Sequence, residues 1–473
     1  MNVNKGIFKI HSFIALAMAL TLGACSKSFV TKTPADDVST TDALNTPTIL
    51  QSALNGAYAE IRNVDQYGRD WPVIGDLMAD NTFVDANNSG RYITQFAYQV
   101  PVTDQVPQDM WAESYTGILR CNQIIDAPVT GADDIKAQAY ALRALIYWKL
   151  VTTYANPYTV DTTALGVPLV LHYNPTLLPA RNTVGTVYGQ IVSDLTTAVK
   201  TAPAYDNSAF LSKYAVEGLL SRVFLYEAKY DSALARATDV INKGPFALVD
   251  INGFNAFWAN PAVKTDAVEV MFEVDCDPVN NNGFDDLGGI YIHGYDDIYC
   301  SSQLAALYSP SDIRGSLLLQ GTIHNGSANA YYVNKYPNAG STDRDNIKVI
   351  RLSEVYLIAA EAAARKGQTT AAQGYLNALM AVRDPSITYS DAGAALINDI
   401  VLERRKELAF EGDRLFDMNR LGLPINRGAN AGSAAQGDGL SIPYPNTQRI
   451  APIPLQEILR NPSLTNQQNP GYN

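Results

Sequence analysis

Cysteine is scarce, with four in 473 residues, and none falls in the CxxC spacing that builds zinc sites. Apart from Cys25 there are only Cys121, Cys276 and Cys300, too few for a disulfide framework. Cys276 and Cys300 share one segment, and a bond between them and two free thiols stand as equal alternatives. Histidine is equally sparse. His172, His293 and His324 share no metal-binding spacing, so metal chemistry has little to build on. The chain also lacks a nucleophile elbow, a phosphate loop and a dinucleotide fingerprint. Lys and Arg form no cluster, the net charge is -12 and the pI is near 4.8, a balance that speaks against nucleic acid as a partner. Beyond the N-terminus no segment is apolar enough to cross a bilayer.

The N-terminus is different. Lys5 and Lys9 precede an apolar run from Phe13 to Leu20 that closes on Leu22, Gly23, Ala24 and Cys25. The run is too short for a hydrocarbon core of roughly 30 Å, which takes about 20 apolar residues. Its flanks are those of an export signal, and its end resembles a lipobox, which implies cleavage before Cys25 and acylation of that thiol. Residues 1–24 are thus expected to be a lipoprotein signal peptide, whose removal takes two lysines and leaves a net charge of -14. Residues 25–40 are polar, contain one proline, show no helical period and read as a flexible tether.

From Thr41 the pattern is mainly helical, with apolar stripes at helical spacing over Ile49–Val64, Gln108–Asp126, Asp133–Tyr154, Val184–Ala202, Ser212–Lys229, Asp231–Asn242, Ile347–Lys366, Thr370–Arg383 and Ala392–Glu411. Neighbouring segments form pairs joined by tight turns. Ala215, Leu219, Val223 and Tyr226 face Ala233, Ala237, Val240 and Ile241; Leu352, Val355, Ala359 and Ala362 face Ala371, Leu376 and Leu379. Small residues at these spacings let helices approach closely, and a unit of about 34 residues resembles a tetratricopeptide repeat. The expected fold is mainly α, a tetratricopeptide-like scaffold of helical pairs with a loop-rich insert and short strands. That insert, about 245–346, is rich in Gly, Asn, Asp and aromatic residues, and it is where binding is expected.

Tyrosine is abundant, with 27 against 14 Phe and 4 Trp. Its flat face and hydroxyl suit sugars as well as cores. Aromatic residues beside Asn, Asp and Arg concentrate in two stretches. One, Tyr67–Tyr98, holds Trp71, Asp80, Asn81, Asn87, Asn88, Arg91 and Tyr92; the other holds Trp258, Asp285, Asp286, Tyr291, Tyr295 and Tyr299. Trp71, Asn81, Arg91, Tyr92, Trp258, Tyr291, Tyr295 and Tyr299 are therefore the candidate ligand contacts. Tyr92, Tyr295 and Tyr299 stand among polar neighbours, whereas Trp258 follows an apolar run and fits a core position. Asp275–Asp286 weakly resembles a calcium loop, but Val279 takes a ligand position and the terminal Glu is missing. It reads as a turn-rich loop, and no cofactor is expected.

Near the C-terminus, Glu403, Glu407 and Glu411 repeat every fourth residue among Arg404, Arg405 and Arg414. A glycosidase would need two carboxylates facing each other across roughly 5–9.5 Å of a pocket. Neighbours on one helix flank their own cations instead, so a structural ladder is expected. Pro452, Pro454, Pro462 and Pro470 imply an extended tail wrapped on the body.

Three segments, IRLSEVYLIAAEA at 350–362, IVLERRKELAFEGDRLFDMNR at 400–420 and APIPLQEILRNPSLTNQQNPGY at 451–472, taken in this order behind a lipobox, resemble the SusD/RagB family. With the helical pairs, the resemblance covers residues 41–473 as one SusD-like domain. It implies a non-catalytic lipoprotein of the outer membrane, displayed on the cell surface, that captures glycan and delivers it to a SusC-like TonB-dependent transporter. Capture of peptide or another nutrient by the same lid architecture, and surface glycoside hydrolysis, remain the alternatives.

Overall fold

The structure, a computed structural model, describes residues 44–322 and 330–472. The export signal, Cys25, the tether and His324 lie outside the described residues.

Helix α1 (Pro47–Glu60) starts where the Thr46 hydroxyl accepts from the Ile49 amide and Pro47 fixes the first turn. It is followed by α2 (Asp70–Leu77), α3 (Gln105–Asp126), α4 (Asp133–Tyr154), α5 (Val184–Thr201), α6 (Lys213–Tyr226) and α7 (Tyr230–Lys243). After the insert come α8 (Leu352–Arg365), α9 (Thr369–Met380), α10 (Gly393–Glu407), α11 (Arg414–Leu421) and α12 (Leu455–Arg460). From α3 to α9 each helix packs on the next in sequence order, the stacking expected of helical pairs. The stripe Ala215, Leu219, Val223 and Tyr226 is buried against Ala233, Ala237 and Val240. One facing residue shifts: Ala371 is exposed and Ala372 takes the buried place beside Leu376 and Leu379.

Two expected helices are shorter than their periodicity suggested. Ile347–Arg351 is strand β6, pairing antiparallel with β2 (Val270–Val274), and all five of its residues are buried. The ladder partner decides its conformation, because a run buried on both faces carries no period. Helix α10 stops at Glu407, and Phe410 (φ 68°) and Gly412 (φ 84°) turn the chain. A Cβ on Gly75 of α2 would stand 1.9 Å from the Gly412 carbonyl oxygen, so this turn fits only against a glycine, and it seats α2 on the C-terminal helices.

The insert strands β3 (Ile298–Cys300), β4 (Leu318–Gly321) and β5 (Ala330–Val333) join β1 (Thr82–Val84), from outside the insert, in an antiparallel sheet of order β1-β3-β5-β4. Ile298, Tyr299, Cys300, Ile290 and Tyr291 join the same apolar cluster as the helical stripes. The insert therefore shares the scaffold's core. Cys121, Cys276 and Cys300 are buried free thiols, and burial pushes each thiol pKa upward, that of Cys121 to about 12. The tail is tied down by the Ala451 amide on the Thr153 carbonyl and by Asn469 on the Tyr154 carbonyl.

The carboxylates of α10 are not a solvated ladder. Glu403 and Glu407 are buried, and Glu407 meets Arg351 at 2.8 Å, Arg383 at 3.0 Å and Arg314 at 3.4 Å. Burial opposes ionisation, yet the guanidinium groups of Arg383, Arg351 and Arg314 hold Glu407 well below the usual carboxylate range. Glu411 pairs with Lys335 and with Arg351, which also reaches Glu269. This hub joins β2, β6 and α10, fixing the insert to the scaffold.

Candidate functional site

The two aromatic-rich stretches meet. Antiparallel pairing of β1 with β3 sets Thr82 opposite Cys300 and Val84 opposite Ile298, which brings the segment after β1 alongside the segment before β3. The Ser89 amide donates to the Asp297 carboxylate at 2.8 Å and closes the gap. Arg91 then lies over Tyr295, its guanidinium carbon 3.7 Å from the ring centroid, a close cation–π contact.

A second strand of the site is the loop from Asp275 to Asp286. Asp285 accepts from Arg69 at 3.1 Å and from Arg91 at 3.4 Å. Arg91 also donates to the Ser89 hydroxyl at 2.6 Å. Its side chain is 31 % exposed and that of Asp285 46 %. Phe284, one residue earlier, is 54 % exposed. Beneath them Arg69 contacts Asp70 at 2.9 Å and the Tyr92 hydroxyl at 2.6 Å, and that hydroxyl donates to Asp70. Burial and the neighbouring Asp70 charge raise Tyr92 well above the ordinary phenol range, so it stays protonated. Burial raises Asp70 as well, against the pull of Arg69.

Tyr92 (φ 59°), His293 (φ 61°) and Asp296 (φ 51°) all adopt the left-handed region here. That region is uncommon outside glycine, and such residues gather where function holds a backbone in place. The chemistry on offer is specific. The N–H groups of Arg91 and the acceptor oxygens of Asp285 stand side by side, which matches two adjacent hydroxyls of a sugar. Phe284 adds an apolar face of the kind that stacks on a pyranose.

Of the eight candidate contacts, Arg91 and Tyr295 are together at this surface, and the other six are buried elsewhere in the core. Trp71 packs edge-on against Tyr67 with centroids 5.0 Å apart. Asn81 donates to Asp76 at 2.6 Å and accepts from Arg405 at 2.9 Å. Tyr92 is locked to Asp70 and Arg69 as described. Trp258 packs on Phe257 beneath Lys335, Tyr291 stacks on Tyr336 and Tyr299 on Phe83. All six are buried and present no face to a ligand. The five aromatic ones satisfy the core's demand for large apolar volume, as do all four tryptophans, each only 2 % exposed, whereas Asn81 is held by its polar partners. Phe284 had no place among the candidates, although an aromatic inside a run of Asn, Gly and Asp is the pattern of an exposed ring.

Two other acidic side chains of this loop serve as turn acceptors. Asp277 accepts from the amides of Val279 and Asn280, and Asp286 from that of Gly289. Burial raises Asp286 to about 6 even so. Among the described residues no group of three His, Cys, Asp or Glu is arranged to hold a metal ion.

Comparison with known proteins is consistent along the chain. The profile of the SusD family matches residues 312–472, and that of a family described as starch-binding, associating with the outer membrane, matches residues 28–225. SusD-like protein P2 of Formosa agariphila is 25 % identical over 98 % of this chain and the whole of its own length. A crystal structure of a SusD superfamily protein from Bacteroides thetaiotaomicron is 28 % identical and superimposes with a TM-score of 0.82, covering 90 % of this chain and all of that one. Another, from Bacteroides vulgatus, is 27 % identical with a TM-score of 0.83, covering 91 % of this chain and all of that one.

Proposed function

This chain belongs to the SusD family, and on that premise we propose that it binds glycan without cleaving it and passes it to a SusC-like TonB-dependent transporter of the outer membrane. The observation that carries this reading is the part-exposed donor–acceptor pair of Arg91 and Asp285, held on Tyr295, with the exposed ring of Phe284, which lies under Arg344, next in the chain to Asp285. Such a surface recognises hydroxyls and an apolar sugar face, and it contains no pair of carboxylates facing across a cleft. The match to a starch-binding, outer-membrane-associating family over residues 28–225 supports both ligand class and location. Cys25 supplies the lipid anchor in this account, and residues 26–40 the slack that lets the body cover the transporter's mouth. A helix-borne hydrolytic site is disfavoured, because Glu403, Glu407 and Glu411 are buried and engaged by guanidinium or ammonium groups.

A glycan array run with a reducing-end assay tests the proposal. Retention of defined glycans with no release of reducing ends is the expected result. Turnover of any bound glycan, or binding to none while peptides bind, overturns it.

A further inference from the structure

The loop that presents Phe284 and Asp285 has another side. Asn280, Asn281 and Asn282 wall a polar cavity of about 500 Å3, within the roughly 300–1,000 Å3 typical of small-ligand sites. Its opposite walls are the C-terminal end of α1, with Glu60 and Arg62, and Arg120 of α3. Arg62 also lines a neighbouring hollow of about 170 Å3 with Asn55, Tyr58, Phe210 and Asp275. The two hollows therefore meet at Arg62. The junction is braced, since the Asn282 amide donates to the Arg62 carbonyl at 2.8 Å and Arg62 donates to the Asp275 carbonyl.

Position links both hollows to the Arg91 surface. Asn282 and Asp285 are three residues apart, a span of at most about 11 Å, and the 3-10 turn at Gly283–Asp285 shortens it further. The wall of the first hollow at Asn282 is thus within about that distance of Asp285, and the second hollow shares Arg62 with the first. Their chemistry matches. Arg120 is half exposed and pairs with Glu60 at 2.8 Å, which repeats the arrangement of donor beside acceptor. Phe210 is 37 % exposed and rests edge-on against Tyr58, with centroids 5.2 Å apart, a second exposed aromatic ring in addition to that of Phe284. Arg62 and Arg120 stand against Glu60 and Asp275, while the third carboxylate, Glu273, is buried against Lys348, so neither sign dominates and a charged ligand is not favoured.

We infer that the two hollows form a groove for the further units of a linear neutral oligosaccharide, one part of which is held at Arg91 and Tyr295. The protein then selects chain length, with Phe210 and Arg120 as length-reading contacts. This inference rests on the glycan-binding reading above and deepens it.

Calorimetric titration with two-unit and six-unit probes tests it, using maltose and maltohexaose, laminaribiose and laminarihexaose, and xylobiose and xylohexaose. Wild-type protein is expected to bind the six-unit form of its sugar at least about tenfold more tightly than the two-unit form. Phe210→Ala and Arg120→Ala are expected to erase most of that difference while leaving the affinity for the two-unit probe unchanged. Arg120 makes a surface pair, so its variant keeps the test valid if loss of Phe210 loosens Tyr58. Equal affinity for short and long probes, or variants that keep the wild-type preference, overturns the groove while the Arg91 site stands. Binding of none of the probes, and of no glycan on the array, removes the glycan-binding reading and the groove with it.

Discussion

The Arg91 guanidinium lies 3.7 Å from the centre of the Tyr295 ring, and this contact joins the chain after β1 to the chain before β3 at the open face of the insert. The stack restricts Arg91 without consuming its N–H groups, of which one bonds Ser89 and another only the long contact to Asp285. A ligand hydroxyl can therefore be met by a donor that is already oriented.

Arg91→Ala is expected to weaken glycan affinity about tenfold or more, since a hydrogen bond to a charged group contributes about 1.5–3 kcal/mol. The melting temperature should barely move, because the residue is at the surface. Arg91→Lys should fall between, keeping charge but losing the planar fork that lies on Tyr295. Titration calorimetry paired with thermal melts reads both effects.

Tyr92→Phe should act on stability instead. Its hydroxyl accepts from Arg69 and donates to the buried Asp70, so its removal costs about 1–3 kcal/mol through the partners left unsatisfied. Urea denaturation should show this loss. Glycan affinity should stay within about twofold.

Glu407→Ala should be far more damaging. The change strands Arg314, Arg351 and Arg383 around an empty place in a buried hub, and breaking a buried ion pair from one side costs about 3–5 kcal/mol. A markedly lower denaturation midpoint is expected, with no gain or loss of any hydrolytic activity.

Glu60 gives the fold a pH dependence. Burial, helped by a hydrogen bond to Glu113 and opposed by Arg120, raises its pKa to about 7 from an ordinary 4.5. Burial likewise raises Asp65 to about 6, with Asp70, Asp109 and Glu113 adding to it and Arg69 opposing. The folded state holds these protons to higher pH than the unfolded chain does. The stability each group lends is thus complete below its unfolded value and falls as pH rises through the folded one. Glu60→Gln should leave the melting temperature nearly unchanged at pH 4 and raise it by about 2 °C or more at pH 8. An equal shift at both pH values contradicts the assignment.

Much of the helical scaffold could be read from the chain because Ala215, Leu219, Val223 and Tyr226 repeat at the period of a helix whose one face is buried. Ile347–Arg351 could not, since it runs into α8 without a breaker and owes its extended form to β2, far upstream. Polar neighbours single out Tyr92, Tyr295 and Tyr299 alike, yet only Tyr295 reaches the surface, while Tyr92 and Tyr299 are buried. An aromatic ring flanked by Asn or Asp fits a core and a sugar site alike until burial is known, and Trp71 and Tyr291 carry no sequence signal that separates the two. Phe284 carries the opposite signal, a lone apolar ring in a run of Asn, Gly and Asp, and it is exposed. Glu407 shows the same limit in the core, since its partners Arg314, Arg351 and Arg383 come from three separate stretches of the chain.

Amide hydrogen exchange of the protein, alone and saturated with a glycan that the array identifies, tests the central claim most directly. Slowed exchange is predicted in residues 85–92 and 280–297, where Arg91, Phe284, Asp285 and Tyr295 stand, with the stacked helices α4–α9 unchanged. Protection confined to those helices, or none in the two loop segments at saturation, contradicts it.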